Sequence, residues 1–233
     1  MQEKNIYTNG SYLQNNPSWG GEDSTWKAEA IWNLLQRNKI NPTDITEVGC
    51  GAGGVLRSLS ARFGERVSCY GYDISPQAIT LAKSYSNENI SLFNEDFTAK
   101  NIHTDLLLVI DVVEHLQDYF QFLENIKKKS SQFVFHIPLD LSCRTILKPH
   151  VLLQQRNAVG HIHYFTKEMV LWFLKDCGYE VLDILYTKPV IDIEASHDIK
   201  TAMKKMLRNF SYSFSKDLSA KLWGNYSLLI LAK

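Results

Sequence analysis

The chain has 233 residues and a mass of 26.7 kDa, which suits one large domain or one domain with a modest appendage. With 45% hydrophobic and 21% charged residues it can bury a sizeable core, a balance that excludes global disorder. Its 25 acidic residues match its 25 basic ones, so the overall charge gives no reason to expect nucleic acid or an anionic membrane as a partner.

In chain order, the first ~20 residues are rich in Asn, Gly, Ser and Tyr and read as an irregular arm. From Ser24, a helix cap, the residues Trp26, Ala30, Ile31, Leu34 and Leu35 recur at helical spacing, and Asn41-Pro42 closes that helix. A strand at 44–48 runs into Gly49-Cys50-Gly51-Ala52-Gly53-Gly54, and an amphipathic helix follows at 55–63. Residues 67–72 form the next strand. Ser75 caps a helix that has Pro76 at its first position, where a missing N–H costs little. Short strands at 90–93 and 105–110 come next, the second apolar throughout, as a strand buried on both faces is. A helix at 116–129 ends in three lysines that suit its dipole, and a strand at 133–137 stops at Pro138.

Strand and helix alternate at least four times, the pattern of a mostly parallel sheet covered on both faces. An irregular connection, 139–163, precedes a helix at 167–177. Two strands, 180–186 and 227–232, flank an aromatic-rich helical stretch at 198–223. The expected organisation is one domain over 1–233: an N-terminal arm and helix to residue 40, a core over 41–186, a helical insert over 187–224 and a closing strand over 225–233. No apolar run approaches the ~20 residues that span a bilayer. The opening residues lack the basic-then-apolar order of a secretion signal. Cys50, Cys69, Cys143 and Cys177 are scattered, as reduced thiols are. These features lead us to expect a cytoplasmic monomer or homodimer with neither nucleic acid nor membrane as partner.

The glycine loop between strand and helix can bring backbone close to a ligand and aim helix N–H groups at it. Gly49, Gly51 and Gly54 satisfy the dinucleotide pattern GxGxxG, so a nicotinamide-dependent oxidoreductase is a rival reading. Glu47 separates the two. At the strand end it would face a bound pyrophosphate, a repulsion of a few kcal/mol at an effective dielectric near ~20. The same carboxylate attracts an ammonium or sulfonium ligand, and S-adenosylmethionine fits that description. Asp73 ends the second strand at the spacing where a carboxylate meets ribose hydroxyls. Asp96 can accept from an adenine amino group, with Phe97 or Ile74 against the ring, and Asp111 ends the fourth strand over the crevice.

The segments Glu47-Val-Gly-Cys-Gly-Ala-Gly53, Tyr72-Asp73-Ile-Ser75, Glu95-Asp96-Phe97 and Asp111-Val-Val-Glu-His115 together resemble the successive motifs of class I S-adenosylmethionine-dependent methyltransferases. The resemblance covers about residues 25–186, and strand 227–232 is similar to that family's antiparallel closing strand. It implies a Rossmann-like α/β fold: a seven-stranded, mostly parallel sheet in order 3-2-1-4-5-7-6, last strand antiparallel, helices on both faces. It also implies roles. Glu47, Gly49, Cys50, Gly51 and Gly53 surround the methionine part of the cofactor, Asp73 meets the ribose, and Asp96 with Phe97 meets the adenine.

Methyl transfer needs acceptor, methyl and sulfur in line, water excluded, and often a proton removed from the acceptor. The stretch 161–179 is similar to that of small-molecule methyltransferases of the ubiquinone-biosynthesis type, where a Glu-His pair after the fourth strand and a later His face the cleft. That resemblance makes His115 the first choice for general base, with His161 or His163 second. His136, inside a strand, reads as core. Asp111, Glu114, His115 and His163 resemble the metal-binding set of small-RNA 2′-O-methyltransferases, but Asp stands where that set has its first Glu, and the expectation is that no metal is required.

In the arm, Tyr12 and Trp19 read as a lid over the ligand, hinged at Gly20-Gly21, and Trp26 as a core residue of its helix. Met203, Met206, Leu207 and Phe210, at helical spacing, read as packing ahead of a roof for the acceptor pocket. Lys200, Lys204, Lys205 and Arg208 read as a solvated basic face. The expected activity is methylation of a small-molecule acceptor by S-adenosylmethionine, at oxygen before nitrogen, with S-adenosylhomocysteine as product. A hydroxyl needs help losing its proton, which suits the histidines, whereas a neutral amine is already nucleophilic. The alternatives are an N-methyltransferase of an amine or amino acid, and a non-catalytic cofactor-binding partner subunit.

Overall fold

Apolar residues that alternate without polar relief demand cover on both faces of a sheet, and strand β4 (Thr104–Ile110) shows how the chain meets that demand. Its Leu107 and Val109 join the core on one face, and Leu106, Leu108 and Ile110 join the core on the other. The computed structural model describes residues 7, 9–19, 21–83, 89–193 and 198–233. Seven strands form one sheet in the order β3-β2-β1-β4-β5-β7-β6. They are β1 (Asp44–Val48), β2 (Ser68–Tyr72), β3 (Ile90–Phe93), β4, β5 (Ser130–Leu139), β6 (Val181–Thr187) and β7 (Tyr226–Ala232). The first five run parallel, and β7 lies antiparallel between β5 and β6. The order and the reversed last strand agree with the expected topology.

Eleven helices in the described residues connect and cover the strands: α1 (Ser11–Asn15), α2 (Ser24–Arg37), α3 (Gly54–Phe63), α4 (Pro76–Lys83), α5 (Tyr119–Lys127), α6 (Cys143–Leu147), α7 (His150–Val159), α8 (Lys167–Asp176), α9 (Pro189–Asp192), α10 (Ile199–Phe214) and α11 (Lys216–Trp223). Helices α2 and α3 bury Ile31, Leu34, Leu35, Leu56 and Leu59 against one side of the sheet. Helices α5 and α8 bury Leu123, Ile126, Val170 and Phe173 against the other. Full burial of each such side chain stabilises the fold by about 1.5–3 kcal/mol. Helices α2 and α3 cross so closely that a Cβ on Gly54 would lie 2.5 Å from Ser24 Oγ. None of the described helices is long and apolar enough to cross a membrane.

Several elements differ from the sequence reading, each for a local reason. Strand β5 continues through Pro138, which sits opposite Ser227. Its pairing with β4 has already ended at His136, so the missing N–H falls where no parallel neighbour needs it. Helix α5 starts late because Asp118 caps it, accepting from Gln121 N at 3.0 Å, after a 3-10 turn over Val113–His115. The connection expected to be irregular holds α6, set by a capping box between Ser142 and Thr145, and α7, closed by Gly160 at φ 85°. The arm likewise contains α1. The stretch expected as one helix breaks at Ser215, whose extended backbone and Oγ cap α11. Most of α10 faces outward: Met203, Met206, Leu207 and Phe210 are exposed, neither core packing nor pocket roof.

Candidate functional site

Strands β1, β2 and β4 all end at one edge of the sheet, and the crevice there opens into a cavity of about 720 Å³, of a size suited to a nucleoside and a small second ligand. Its wall on the β1–β2 side is the glycine loop. Gly51 has φ 53°, a left-handed conformation that a side chain disfavours, and a Cβ there would meet Trp19 Cδ1 at 2.7 Å. The loop is pinned by Asp73 at the tip of β2, whose Oδ2 accepts from Gly51 N at 2.9 Å and whose Oδ1 accepts from Ser75 N at 2.8 Å. Burial raises the Asp73 carboxyl while these two N–H groups oppose the rise. Both oxygens thus hold backbone, with one lone pair on each left for a ligand hydroxyl.

Glu47, at the end of β1, is buried, and its Oε2 has no hydrogen-bond partner among the described residues. Burial pushes its carboxyl up to about 8, with the Lys27 ammonium partly opposing. Cys50 lies in the same loop, its thiol raised by burial and by the Glu47 and Asp73 carboxylates, which is the state of an inert thiol. Ile74 lines the cavity with an exposed side chain, whereas Phe97 is buried beneath Tyr72 and reaches the cavity only as part of its wall. Asp96 is exposed and accepts from Thr98 N at 2.9 Å as the cap of a 3-10 turn. Of the two apolar residues named for a ring contact, Ile74 is the one whose surface is available.

Over the middle of the crevice runs a chain of charges in which Asp111 was expected at the crevice and His136 in the core, and Lys27 had no expected role. Lys27 on α2 pairs with Asp23 at 2.8 Å and with Asp111 at 2.7 Å. Asp111, at φ 52°, also binds His136 Nδ1 at 2.5 Å, and His136 Nε2 meets Thr187 Oγ1 at 2.8 Å. His136 is buried as expected of a strand residue, yet it is a member of this polar network and lines the cavity. Burial would raise Asp111, but His136 and Lys27 hold it well below the usual carboxylate range. Burial likewise would lower Lys27, and its two carboxylates more than offset that. Asp111 is therefore committed to protein partners.

Beyond β4 lies the second half of the cavity. Glu114 is fully buried, and neither of its oxygens has a hydrogen-bond partner of normal geometry among the described residues. Burial, followed by the nearby Asp111 charge, raises its carboxyl well above the usual range. His115 Nε2 lies 3.9 Å from Glu114 Oε1, and His161 Nε2 lies 4.0 Å from the same atom. The other ring nitrogens are anchored: His115 Nδ1 by the Tyr7 hydroxyl at 2.9 Å, and His161 Nδ1 by Asp140 Oδ2 at 2.8 Å. Burial and then the neighbouring His161 push His115 down to about 4, so it is uncharged at neutral pH.

His163 is elsewhere. Its Nε2 meets the Leu116 carbonyl at 2.9 Å and its ring stacks on Phe165, away from the cavity lining. Of the four residues named as a metal set, Glu114 and His115 come together, Asp111 is held by Lys27 and His136, and His163 stands apart. Among the described residues, the group whose ligand atoms could share a metal ion is Glu114, His115 and His161, all within 4.8 Å of one another. Sequence leaves the choice between His161 and His163 open, because a regular extended chain sends residues two apart to the same side. Here Ile162 N and His163 N both donate to the Glu114 carbonyl, at 3.0 and 3.1 Å, and this local kink breaks the alternation between the two histidines.

An aromatic arm covers both halves. Trp19 lies over Gly51, Tyr12 packs on Trp19 with centroids 4.8 Å apart, Tyr7 packs on Tyr12 at 4.9 Å, and Tyr7 reaches His115. Asn16 Nδ2 ties α1 to the Ala158 carbonyl of α7. Burial raises the Tyr12 hydroxyl to about 12, so it stays protonated. Trp26 is half-buried and lines the cavity, a correction to its core reading. Gly20 of the expected hinge lies outside the described residues.

Comparison with known proteins adds three findings. A family model described as "Methyltransferase domain" matches residues 27–184. A curated relative, norajmaline N-methyltransferase of Rauvolfia serpentina, is 27% identical over 99 residues, a stretch covering 39% of this chain and about a third (33%) of the relative. Among solved structures, magnesium protoporphyrin IX methyltransferase from Synechocystis PCC 6803 with bound S-adenosylhomocysteine superposes with a TM-score of 0.60 at 12% identity, over 90% of this chain and 83% of that one. The plantazolicin methyltransferase BamL does so with 0.56 at 16% identity, over 95% and 88%. At these identities the two structures speak for the fold.

Proposed function

The chain belongs to the methyltransferase-domain family, and from that premise we propose that it transfers a methyl group from S-adenosylmethionine to a small-molecule acceptor, at a hydroxyl oxygen. The observation that carries the cofactor reading is Glu47. A buried carboxyl with an oxygen lacking a partner is costly, and a cationic amino-acid tail is the group that relieves it. Asp73 keeps a lone pair on each oxygen for ribose hydroxyls, Ile74 offers an apolar surface to a base, and Gly51 keeps the loop free of a side chain, so the residues present fit the group.

When bound, S-adenosylmethionine supplies a methyl group activated by the positive sulfur. The residues of the chain supply the rest. Glu47 holds the amine, Asp73 the ribose and Ile74 the base. The arm, with Tyr12 and Trp19, excludes water from above, which strengthens the electrostatic interactions beneath it. Neutral His115, fixed through Nδ1 by Tyr7, accepts the acceptor's proton at Nε2, and the Asp111 and Asp140 charges favour the imidazolium that results. His161, oriented by Asp140 as a catalytic imidazole is oriented by a carboxylate, is the second choice for that role.

Glu114 also supports a second reading, in which a buried carboxyl facing the cavity holds an amine acceptor, whose nitrogen gives up a proton to His115 before its lone pair attacks the methyl group; the N-methyltransferase relative favours it. One experiment tests the proposal and separates the two. The protein is incubated with carbon-13-methyl-labelled S-adenosylmethionine and a panel of hydroxylated and amine metabolites, and the carbon shift of the transferred methyl reports O- or N-attachment. Formation of an O-methyl product supports the proposal, an N-methyl product moves the reading to amines, and tight S-adenosylhomocysteine binding with no product from any acceptor points to a non-catalytic partner subunit.

A further inference from the structure

Helix α10 packs the wrong way round for a helix on a protein core. Its sequence is strongly amphipathic, with Ile199, Met203, Met206, Leu207, Phe210 and Phe214 recurring at three- and four-residue spacing to form one stripe. Such a stripe ordinarily faces the core. Here every member is exposed, from 45% for Leu207 to 65% for Phe210, 79% for Phe214 and 89% for Ile199. The polar side faces inward instead. Arg208 is buried, donating to the Gly224 carbonyl at 3.0 Å and the Trp223 carbonyl at 3.3 Å. Ser211 Oγ meets Ser219 Oγ at 2.8 Å and accepts from Trp223 Nε1 at 3.0 Å. These bonds fix the rotation of the helix, so the outward aim of the stripe is built into the packing.

We propose that this outward stripe docks on an anionic lipid bilayer surface, with α10 lying in the interface plane. Sixteen residues give a helix about 24 Å long, and its stripe would enter the acyl boundary while the polar side stays on the protein. The charge next to the stripe selects the occupant. Exposed Lys200 and Lys204 border it, exposed Lys216 follows it, and no acidic residue occurs from Ile199 to Lys216. Anionic headgroups complement that edge, whereas a second copy of the helix would bring no acidic side chain of its own to pair with these lysines. Zero net charge hides all this, because acids elsewhere in the chain cancel the local excess. The proposal stands independently of the methyl-transfer reading and revises the expectation of no membrane partner.

The test is co-sedimentation of the full chain with vesicles of phosphatidylcholine alone or with roughly one-third phosphatidylglycerol, which supplies the anionic surface. The wild type should partition at least about tenfold more strongly into the anionic vesicles, and less as salt rises. Met206→Glu with Phe210→Glu should reduce that partitioning at least about tenfold while leaving the melting temperature unchanged, both positions being exposed. In a separate Phe210→Trp variant, the emission added by the new indole should shift to the blue on adding anionic vesicles. Absence of vesicle binding by the wild type overturns the proposal. So does undiminished binding by the double variant, or an unshifted emission from the Phe210→Trp variant. A concentration-dependent dimer that the double variant abolishes, without vesicle binding, assigns the stripe to a second copy and equally overturns it.

Discussion

The two sides of the cleft solve the burial of carboxylates in opposite ways. On the β1–β2 side, Asp73 is satisfied by the backbone N–H groups of Gly51, in the loop after β1, and Ser75, two residues on. On the β4 side, Glu114 has no such donor, and two imidazole nitrogens converge near it from different segments. The first arrangement is a cradle completed before a ligand arrives. The second is left incomplete, as a reacting centre is, since a buried polar group without a partner is costly unless something else satisfies it. Glu47 belongs by position to the first side but carries one oxygen of the second kind, and there the cofactor's amine is expected.

Disrupting the cradle should have the largest effect. Gly51→Val places a Cβ in contact with Trp19 at a left-handed φ. Calorimetric titration should find S-adenosylhomocysteine affinity lost by more than roughly 100-fold, about 2.7 kcal/mol, and normal binding would remove the loop assignment. Next comes the charge chain between the two sides. Asp111→Ala leaves Lys27 buried with Asp23 alone and His136 without its Nδ1 partner. Denaturant titration should show a stability loss of about 3 kcal/mol; a loss within error would mean that the network is dispensable.

On the reacting side, His115→Ala should lower turnover roughly 100-fold and leave S-adenosylhomocysteine affinity nearly intact. Equal losses in both would reassign His115 to structure, and His161→Ala measured alongside decides which imidazole matters more. The smallest effect is graded by pH. Glu47 is raised to about 8 in the ligand-free protein, and an ammonium bound beside it favours the ionised form, so its value falls on binding. Affinity should therefore be greatest near pH 8 and decline as pH falls, toward a limit of about tenfold per unit, with a proton taken off the carboxyl on binding. Glu47→Gln should flatten that slope, and an unchanged slope in the variant would place the titration elsewhere.

The cofactor side was legible in the sequence because its chemistry is local. Glu47, Gly51 and Asp73 lie at strand ends, where alternation and turn residues fix position, and their separations repeat the βαβ unit. Glu114 and His115 were legible as a pair in the same way. Their partners were not. His161 and His163 sit in an extended segment that, if regular, would aim both at one side. Which of them enters the cavity depends on the kink made where Ile162 N and His163 N share the Glu114 carbonyl, a contact between segments far apart in the chain. Lys27 is reached only when α2 packs across the tip of β4.

The alternation of strand and helix and the place of the ligand crevice followed from patterns within a few tens of residues, whereas the order of the sheet and the reversal of its last strand came only through the family that those motifs resemble. The tertiary structure decided which polar groups share a cavity and which way α10 turns. A helix carries no record of which of its faces meets the protein; that is settled by partners such as Gly224, Ser219 and Trp223, whose bonds to the polar side outweigh the ordinary preference to bury the apolar one.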